Sequence, residues 1–304
     1  MFERCKRNRR NSEKFSGRLE CKVTIITGSN SGIGKATALD FAKRGARVIM
    51  ACRNLAKANV AKEEIVKLSG NENVVVRHVD LASLRSVRNF AQNIISTEDR
   101  LHVLVNNAGI AGVANIKSED DIDLGLQVNH YAPFLLTNLL IDLLRKSAPS
   151  RIIHVSSKMH KMGSLDFDNM NCEKGMNILT VYVNSKLYNV IGSNEIARRL
   201  EGTGVTSNSL HPGVIRTEIY QNFNAVGRYL LNKTCDLFFK TAEQGAQTTI
   251  YLAVSDEVAN CSGRYFKDCK EDRPASIAQD REVGEIFWEK CCEILSMKPI
   301  ERFI

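Results

Sequence analysis

Apolar, β-rich runs alternate with helical periodicities along most of the chain. The runs at 23–27, 47–51, 74–79, 103–106, 151–155 and 205–210 predict strands, and a short seventh falls near 264–266. Between them, apolar residues recurring with a helical period predict helices around 34–44, 56–68, 83–96, 119–145, 178–201 and 242–254. Strands this continuously apolar are expected to lie parallel and covered on both faces. Right-handed crossovers then give a Rossmann-type, doubly wound sheet of about seven strands in a three-layer α/β/α arrangement. Its binding crevice lies beyond the carboxyl ends of the strands. Gly28, Asn106, Ser157 and Pro212 all stand at or just past such ends, so one crevice collects them.

Two local patterns add chemistry to that frame. The first strand runs into Gly28-Ser29-Asn30-Ser31-Gly32-Ile33-Gly34 and then into a helical pattern. Glycines there let the backbone approach a pyrophosphate, whose charge is favoured by the amides of a helix N-terminus. The Gly-x-x-x-Gly-x-Gly spacing differs from the Gly-x-Gly-x-x-Gly of long-chain dinucleotide-binding proteins. Far downstream, Tyr182 and Lys186 stand four apart, on one face of a predicted helix. An ammonium beside a phenol favours the ionised form, which makes Tyr182 a usable proton donor or acceptor near neutral pH. At the end of the second strand no Asp or Glu occupies the position, about twenty residues past the glycine turn, that would bind the ribose hydroxyls of NAD. Arg53 stands there instead, a charged fork suited to a 2′-phosphate, with Lys35 at the helix start to assist it. NADP(H) is therefore the expected cofactor.

On these residues the chain resembles a short-chain dehydrogenase/reductase across residues 19–295. The glycine turn, Asn106-Asn107-Ala108-Gly109, Asn129 in Gln-Val-Asn-His, Ser157, Tyr182 with Lys186, and Pro212-Gly213 match that superfamily's motifs in order. Ala51-Cys-Arg53-Asn, His154-Val-Ser-Ser157 and Leu210-His-Pro-Gly-Val-Ile-Arg-Thr217 resemble its retinol dehydrogenase branch. The resemblance implies hydride transfer between a nicotinamide and a carbonyl carbon, with Tyr182 as acid or base. It implies that Lys186 lowers the tyrosine's pKa and binds the ribose, that Ser157 hydrogen-bonds the substrate oxygen, and that Asn129 holds a water on the proton path. Asp80 and Leu81 then border the adenine, Asn107, Ala108 and Gly109 lie along the cofactor, and Pro212, Gly213, Val214 and Thr217 belong to the segment closing over the nicotinamide.

The substrate is expected to be a lipophilic small molecule. Met159, Met162, Phe167, Met170 and Met176 fall in the 24 residues between Ser157 and Tyr182. Tyr220, Phe223, Tyr229, Leu230, Leu231, Leu237, Phe238 and Phe239 follow the Pro-Gly turn. Flexible methionines mould to irregular apolar ligands, although any one of these side chains serves equally well packing its loop onto the core. Retinal and retinol lead, and other lipid-derived or xenobiotic carbonyls are the alternative. A non-catalytic nucleotide-binding scaffold is a further alternative, one that would keep the glycine turn without needing Asn129, Ser157, Tyr182 and Lys186.

Composition agrees with one large domain. The 304 residues are 43% hydrophobic, enough for a sizeable core. Residues 19–304 are expected to form a single unit, with a cofactor half to about 155 and a catalytic and substrate half beyond. Residues 1–18 hold seven basic and two acidic side chains and so carry +5 of the net +8. They read as a disordered basic leader suited to peripheral contact with an anionic membrane surface; no nucleic-acid-binding motif accompanies the charge. No apolar run approaches the roughly 20 residues that a spanning helix needs, and the leader has no signal-peptide core. Nine cysteines without a Cys-x-x-Cys spacing point to free thiols, no metal site and a reducing, cytoplasmic setting. Nothing in the pattern fixes an oligomeric state.

Overall fold

The computed structural model describes residue 15, residues 17–213 and residues 240–302. A single sheet of eight strands, ordered β3-β2-β1-β4-β5-β6-β7-β8, organises them. The strands are β1 (Val23–Thr27), β2 (Arg47–Cys52), β3 (Val74–His78), β4 (Val103–Asn106), β5 (Ser150–Val155), β6 (Val205–His211), β7 (Arg264–Lys267) and β8 (Lys270–Asp272). All neighbours pair in parallel except β7 and β8. Strand order reverses between β1 and β4, and a doubly wound sheet opens a crevice at such a reversal.

The side-chain alternation of each central strand explains the three layers. Ile25, Ile49, Leu104 and Ile152 point to one apolar cluster, shared with α3 (Leu84–Thr97), α4 (Ala132–Lys146), α5 (Ile178–Arg199) and α7 (Arg281–Ile294). Their neighbours Ile26, Val48, Met50, Val103, Val105 and Ile153 point to the other, shared with α1 (Gly32–Lys43), α2 (Leu55–Ser69) and α6 (Ala242–Val254). Both faces are dry, so every residue of these strands is apolar or internally hydrogen-bonded.

The structure departs from the sequence pattern at identifiable places. β8 is a polar, three-residue edge strand with no apolar signature. The helix expected over 119–145 starts only at Leu124, because the Asp123 carboxylate caps it by accepting from Gly125 and Leu126. It then passes through a π-turn, Gln127–Tyr131, before continuing as α4. α7 was not anticipated, although Asp280 caps it and Phe287, Trp288, Cys291 and Cys292 are buried at helical spacing. The expected leader also shortens at its inner end. Phe15 packs against Tyr251 with rings tilted by 54° and centroids 4.9 Å apart, and Arg44 donates to the carbonyls of Phe15 and Gly17 at 2.6 and 2.8 Å. Most of the basic leader, Val214, Thr217 and the aromatic stretch 220–239 lie outside the described residues. No described helix is long and apolar enough to cross a membrane.

Candidate active site

The turn after β1 is shaped by close backbone approach. Gly28 has φ +65°, and a Cβ on it would sit 3.0 Å from the Ala108 Cα. A Cβ on Gly34 would fall 2.5 Å from the Gly28 carbonyl oxygen and 2.6 Å from Asn107 Nδ2, which real side chains do not tolerate. The Thr27 hydroxyl accepts from the amides of Asn107 and Ala108, both at 3.0 Å, and Asn107 Nδ2 donates to the Thr27 carbonyl at 2.8 Å. The β1 and β4 ends are thereby locked together. Ser31, the N-cap of α1, makes no side-chain capping bond, so the first amides of this helix keep their donor capacity at the cleft.

A cleft of about 470 Å³ runs across this point. Gly28, Asn30, Ser31, Gly32, Ile33, Gly34, Arg53, Asp80, Leu81, Asn107, Ala108 and Gly109 all line it. Ser29 does not. It is fully buried, and its hydroxyl donates to the Ile26 carbonyl at 3.0 Å, because a side chain following the end of β1 alternates back into the core. Lys35 is also turned away, held in an ion pair with Glu64 on α2. Lys57 takes its place: it lines the cleft with Arg53 and Asn54, one turn into α2, whose cap Asn54 accepts from the Lys57 amide at 2.9 Å. An N-cap asparagine three residues before a lysine was the available signal. A small-residue cradle, an uncapped helix start and two cations at the far end fit a dinucleotide carrying an extra phosphate.

The polar residues beyond β4 and β5 converge on Gly109. A Cβ there would lie 3.2 Å from Asn129 Oδ1 and 3.3 Å from Lys186 Nζ. Asn129 sits in the π-turn, buried. Its Oδ1 accepts from the Ile110 amide at 2.7 Å, and its Nδ2 donates to the Ile110 carbonyl at 2.9 Å and to Ser185 Oγ at 3.0 Å. Lys186 donates to the Val155 carbonyl at 3.2 Å and lies 5.7 Å from the centroid of the Tyr182 ring. Burial brings the lysine down from its ordinary value to about 8. The serine pair divides its work. Ser156 donates to the Lys186 carbonyl at 2.7 Å and is part of the α5 packing, whereas Ser157 caps the helical turn Lys158–Met162 and accepts from the Met159 amide at 3.2 Å.

The expected methionine wall disperses. Met170 is core, with its carbonyl taking the Tyr131 hydroxyl at 2.8 Å, and Met162 is exposed. Met176 and Phe167 pack partly buried against the core, which leaves Met159 beside Ser157. Asn171 and Asn115 hold this interval down: Asn171 Oδ1 accepts from the Asp123 amide at 2.9 Å and Asn115 Nδ2 donates to the Met176 carbonyl at 2.7 Å. Loop packing has claimed most of the apolar side chains. Pro212 is buried, and Gly213 has φ +98° with Lys240 Cδ 2.6 Å from where its Cβ would be.

A doubly wound sheet with this glycine turn and a Tyr-Lys pair past β5 defines a nicotinamide-dependent oxidoreductase. A short chain dehydrogenase family profile matches residues 22–226, and the chain belongs to that family, whose members use NAD(P). Within it, the sequence falls in the retinol dehydrogenase branch. Human retinol dehydrogenase 14 is 46% identical over 288 residues, covering 90% of this chain and 86% of the relative. Human retinol dehydrogenase 13 is 43% identical over 282 residues, covering 91% and 85%. Among solved structures, an uncharacterised Mycobacterium paratuberculosis protein superposes with a TM-score of 0.76 at 27% identity, covering 94% of this chain and 97% of its own. A Beutenbergia cavernae protein, provisionally assigned as an NAD(P)-dependent gluconate 5-dehydrogenase and solved with NADP at low occupancy, gives 0.67 at 25% identity, covering 83% and 96%.

Proposed function

We propose that this oxidoreductase uses NADP(H) to interconvert a lipophilic aldehyde or ketone with its alcohol, retinal and retinol leading. The reading is carried by one arrangement: Asn129 and Lys186 meet over Gly109, which lines the cleft on one side of β1, while Arg53 and Lys57 line it on the other. The retinol dehydrogenase relatives support the substrate class.

When bound, the nicotinamide supplies or accepts a hydride at the carbonyl carbon. The chain's own residues bind, orient and move the proton. Gly28, Asn30, Ser31, Gly32, Ile33 and Gly34 hold the pyrophosphate with the α1 amides, and Ser29 braces that turn from behind. Arg53 and Lys57 take the 2′-phosphate, Asp80 and Leu81 the adenine, and Asn107, Ala108 and Gly109 the path inward. Pro212 and Gly213 would flank the nicotinamide, a role that the family resemblance extends to Val214 and Thr217. In reduction Tyr182 gives its phenolic proton to the substrate oxygen and recovers it by way of the Lys186 side. Ser157 donates a hydrogen bond to the same oxygen as charge develops there. Both ends of the Asn129 amide are taken up by Ile110 and Ser185, so its side chain fixes the helix bend. Asn129 holds the water on the proton path from this π-turn, beside Lys186. The basic leader adds a peripheral contact with an anionic membrane surface, where a lipophilic substrate would be met.

The test is titration of NADPH and NADH, followed by turnover of retinal and a panel of lipid and xenobiotic carbonyls. A preference for NADH overturns the cofactor assignment. Turnover confined to small polar carbonyls overturns the substrate class.

A further inference from the structure

Ser157 is the point where the backbone leaves β5 and turns into Lys158–Met162. A serine hydroxyl rotates about a single bond, so its aim depends on where its backbone is anchored. The loop is anchored on two sides. Ser156 ties it to α5 through the Lys186 carbonyl, and the second tie is the ring of His160.

That ring is wholly buried, with Nδ1 2.7 Å from the Ser157 carbonyl oxygen and Nε2 3.0 Å from the Ala275 amide nitrogen. A backbone N–H only donates. Nε2 therefore presents its lone pair to Ala275, and the proton sits on Nδ1, where it is donated to Ser157. Tyr265 of β7 packs against the imidazole with centroids 4.6 Å apart. The nearest charges, Lys161 and Asp272, lie 3.9 Å from each other, and burial lowers the histidine's pKa, which keeps the neutral form that this bridge requires. One imidazole thus spans from the serine loop to the chain segment following β8. On the opposite side there is no slack, since a Cβ on Gly163 would lie 2.9 Å from both the Val183 carbonyl oxygen and Leu187 Cβ of α5.

We propose that His160 is a positioning residue for Ser157: its Nδ1–H, held in one tautomer by Ala275, sets the Ser157 backbone so that the hydroxyl meets the substrate oxygen. The inference rests on the reading of Ser157 as the group that binds that oxygen. His160 touches neither substrate nor cofactor and acts through the serine alone.

The experiment is a double-mutant cycle on the full chain, with kcat and KM measured for NADPH-dependent reduction of retinal and the NADPH Kd measured separately. His160→Ala is expected to lower kcat about 10- to 100-fold, the effect of sub-ångström misplacement, with NADPH affinity unchanged. His160→Asn keeps an N–H where Nδ1 was and is expected to recover most of that loss, which also guards against an alanine variant that folds poorly. In a Ser157→Ala background the His160→Ala change is expected to cost nothing further. If Ser157→Ala alone is crippled but His160→Ala lowers kcat by the same factor with or without the serine, this inference is overturned and the site reading stands. If Ser157→Ala runs at the wild-type rate, the site reading falls and this inference with it.

Discussion

The Lys186 ammonium lies 5.7 Å from the centroid of the Tyr182 ring, buried, with the Val155 carbonyl as its hydrogen-bond acceptor at 3.2 Å. Spacing along α5 puts the two residues on one face, and burial gives the pair its chemistry. A desolvated ammonium is strained in its charged form, and each interaction with a developing phenolate relieves it.

The first prediction follows from that burial. The folded value for Lys186, about 8, lies below its ordinary 10.5, so the unfolded chain binds more protons between those pH values. This group therefore makes the cofactor-free protein gain stability as pH rises from about 8 to 10.5, the reverse of a stabilising ion pair. Lys186→Met should unfold at higher denaturant concentration than wild type at pH 7, should flatten that pH dependence, and should lose turnover. Urea titrations at pH 7, 8, 9 and 10 measure it; a methionine variant less stable at pH 7 contradicts it.

Replacing Tyr182 with Phe removes the transferable proton and keeps the ring over the lysine. Turnover should drop by about 100- to 10,000-fold, the usual range for a general acid, with NADPH affinity within about twofold of wild type. Stopped-flow reduction and fluorescence titration separate the two quantities. Wild-type rates in Tyr182→Phe would show that another group delivers the proton.

Cofactor preference should track the residues that line the cleft. Lys57→Ala should weaken NADPH about tenfold, equivalent to roughly 1.4 kcal/mol, and leave NADH unchanged. Arg53→Asp should narrow or invert the preference by adding repulsion. Lys35→Ala should do little, because that side chain is spent on Glu64. An effect of Lys35 larger than that of Lys57 would reverse the assignment.

Gly34→Ala places a methyl 2.5 Å from the Gly28 carbonyl oxygen and 2.6 Å from Asn107 Nδ2, and neither backbone nor amide can withdraw without opening the β1–β4 lock. NADPH binding should be lost and thermal stability lowered, as for other overpacked sites, by about 1–3 kcal/mol. Calorimetry with and without NADPH reports both.

Truncations separate the two parts of the leader. Deleting residues 1–14 should abolish co-sedimentation with anionic liposomes, which itself should vanish in 1 M salt where the Debye length is about 3 Å. Stability should not change. Deleting residues 1–18 should also destabilise the domain, since Arg44 loses the Phe15 and Gly17 carbonyls and Tyr251 loses its aromatic neighbour. Liposome binding that survives both truncation and salt would place the contact elsewhere.

The fold was legible in the sequence because period and strand composition answer to local geometry. Val23–Thr27, Val103–Asn106 and Ile152–Ile153 are apolar on both faces, and no other environment accepts such strands. The glycine turn and the Tyr182–Lys186 pair were legible for the same reason, being contacts at short, regular separation. β8 left no trace because its pairing with β7 needs only backbone groups, so Lys270–Asp272 carry no apolar pattern.

Tertiary structure decided which of several equivalent side chains face the cleft. Ser29 and Ser31 look alike in sequence, yet strand alternation sends one hydroxyl to the Ile26 carbonyl and leaves the other at an uncapped helix start. Ser156 and Ser157 divide the same way, as do Lys35 and Lys57, where a Glu64 on the next helix captures one lysine and frees the site for the other. His160 became visible only when Ala275, far along the chain, supplied the amide that fixes its tautomer. Periodicity along a chain specifies a face, and the partner that meets that face comes from a distant segment whose position no local pattern encodes.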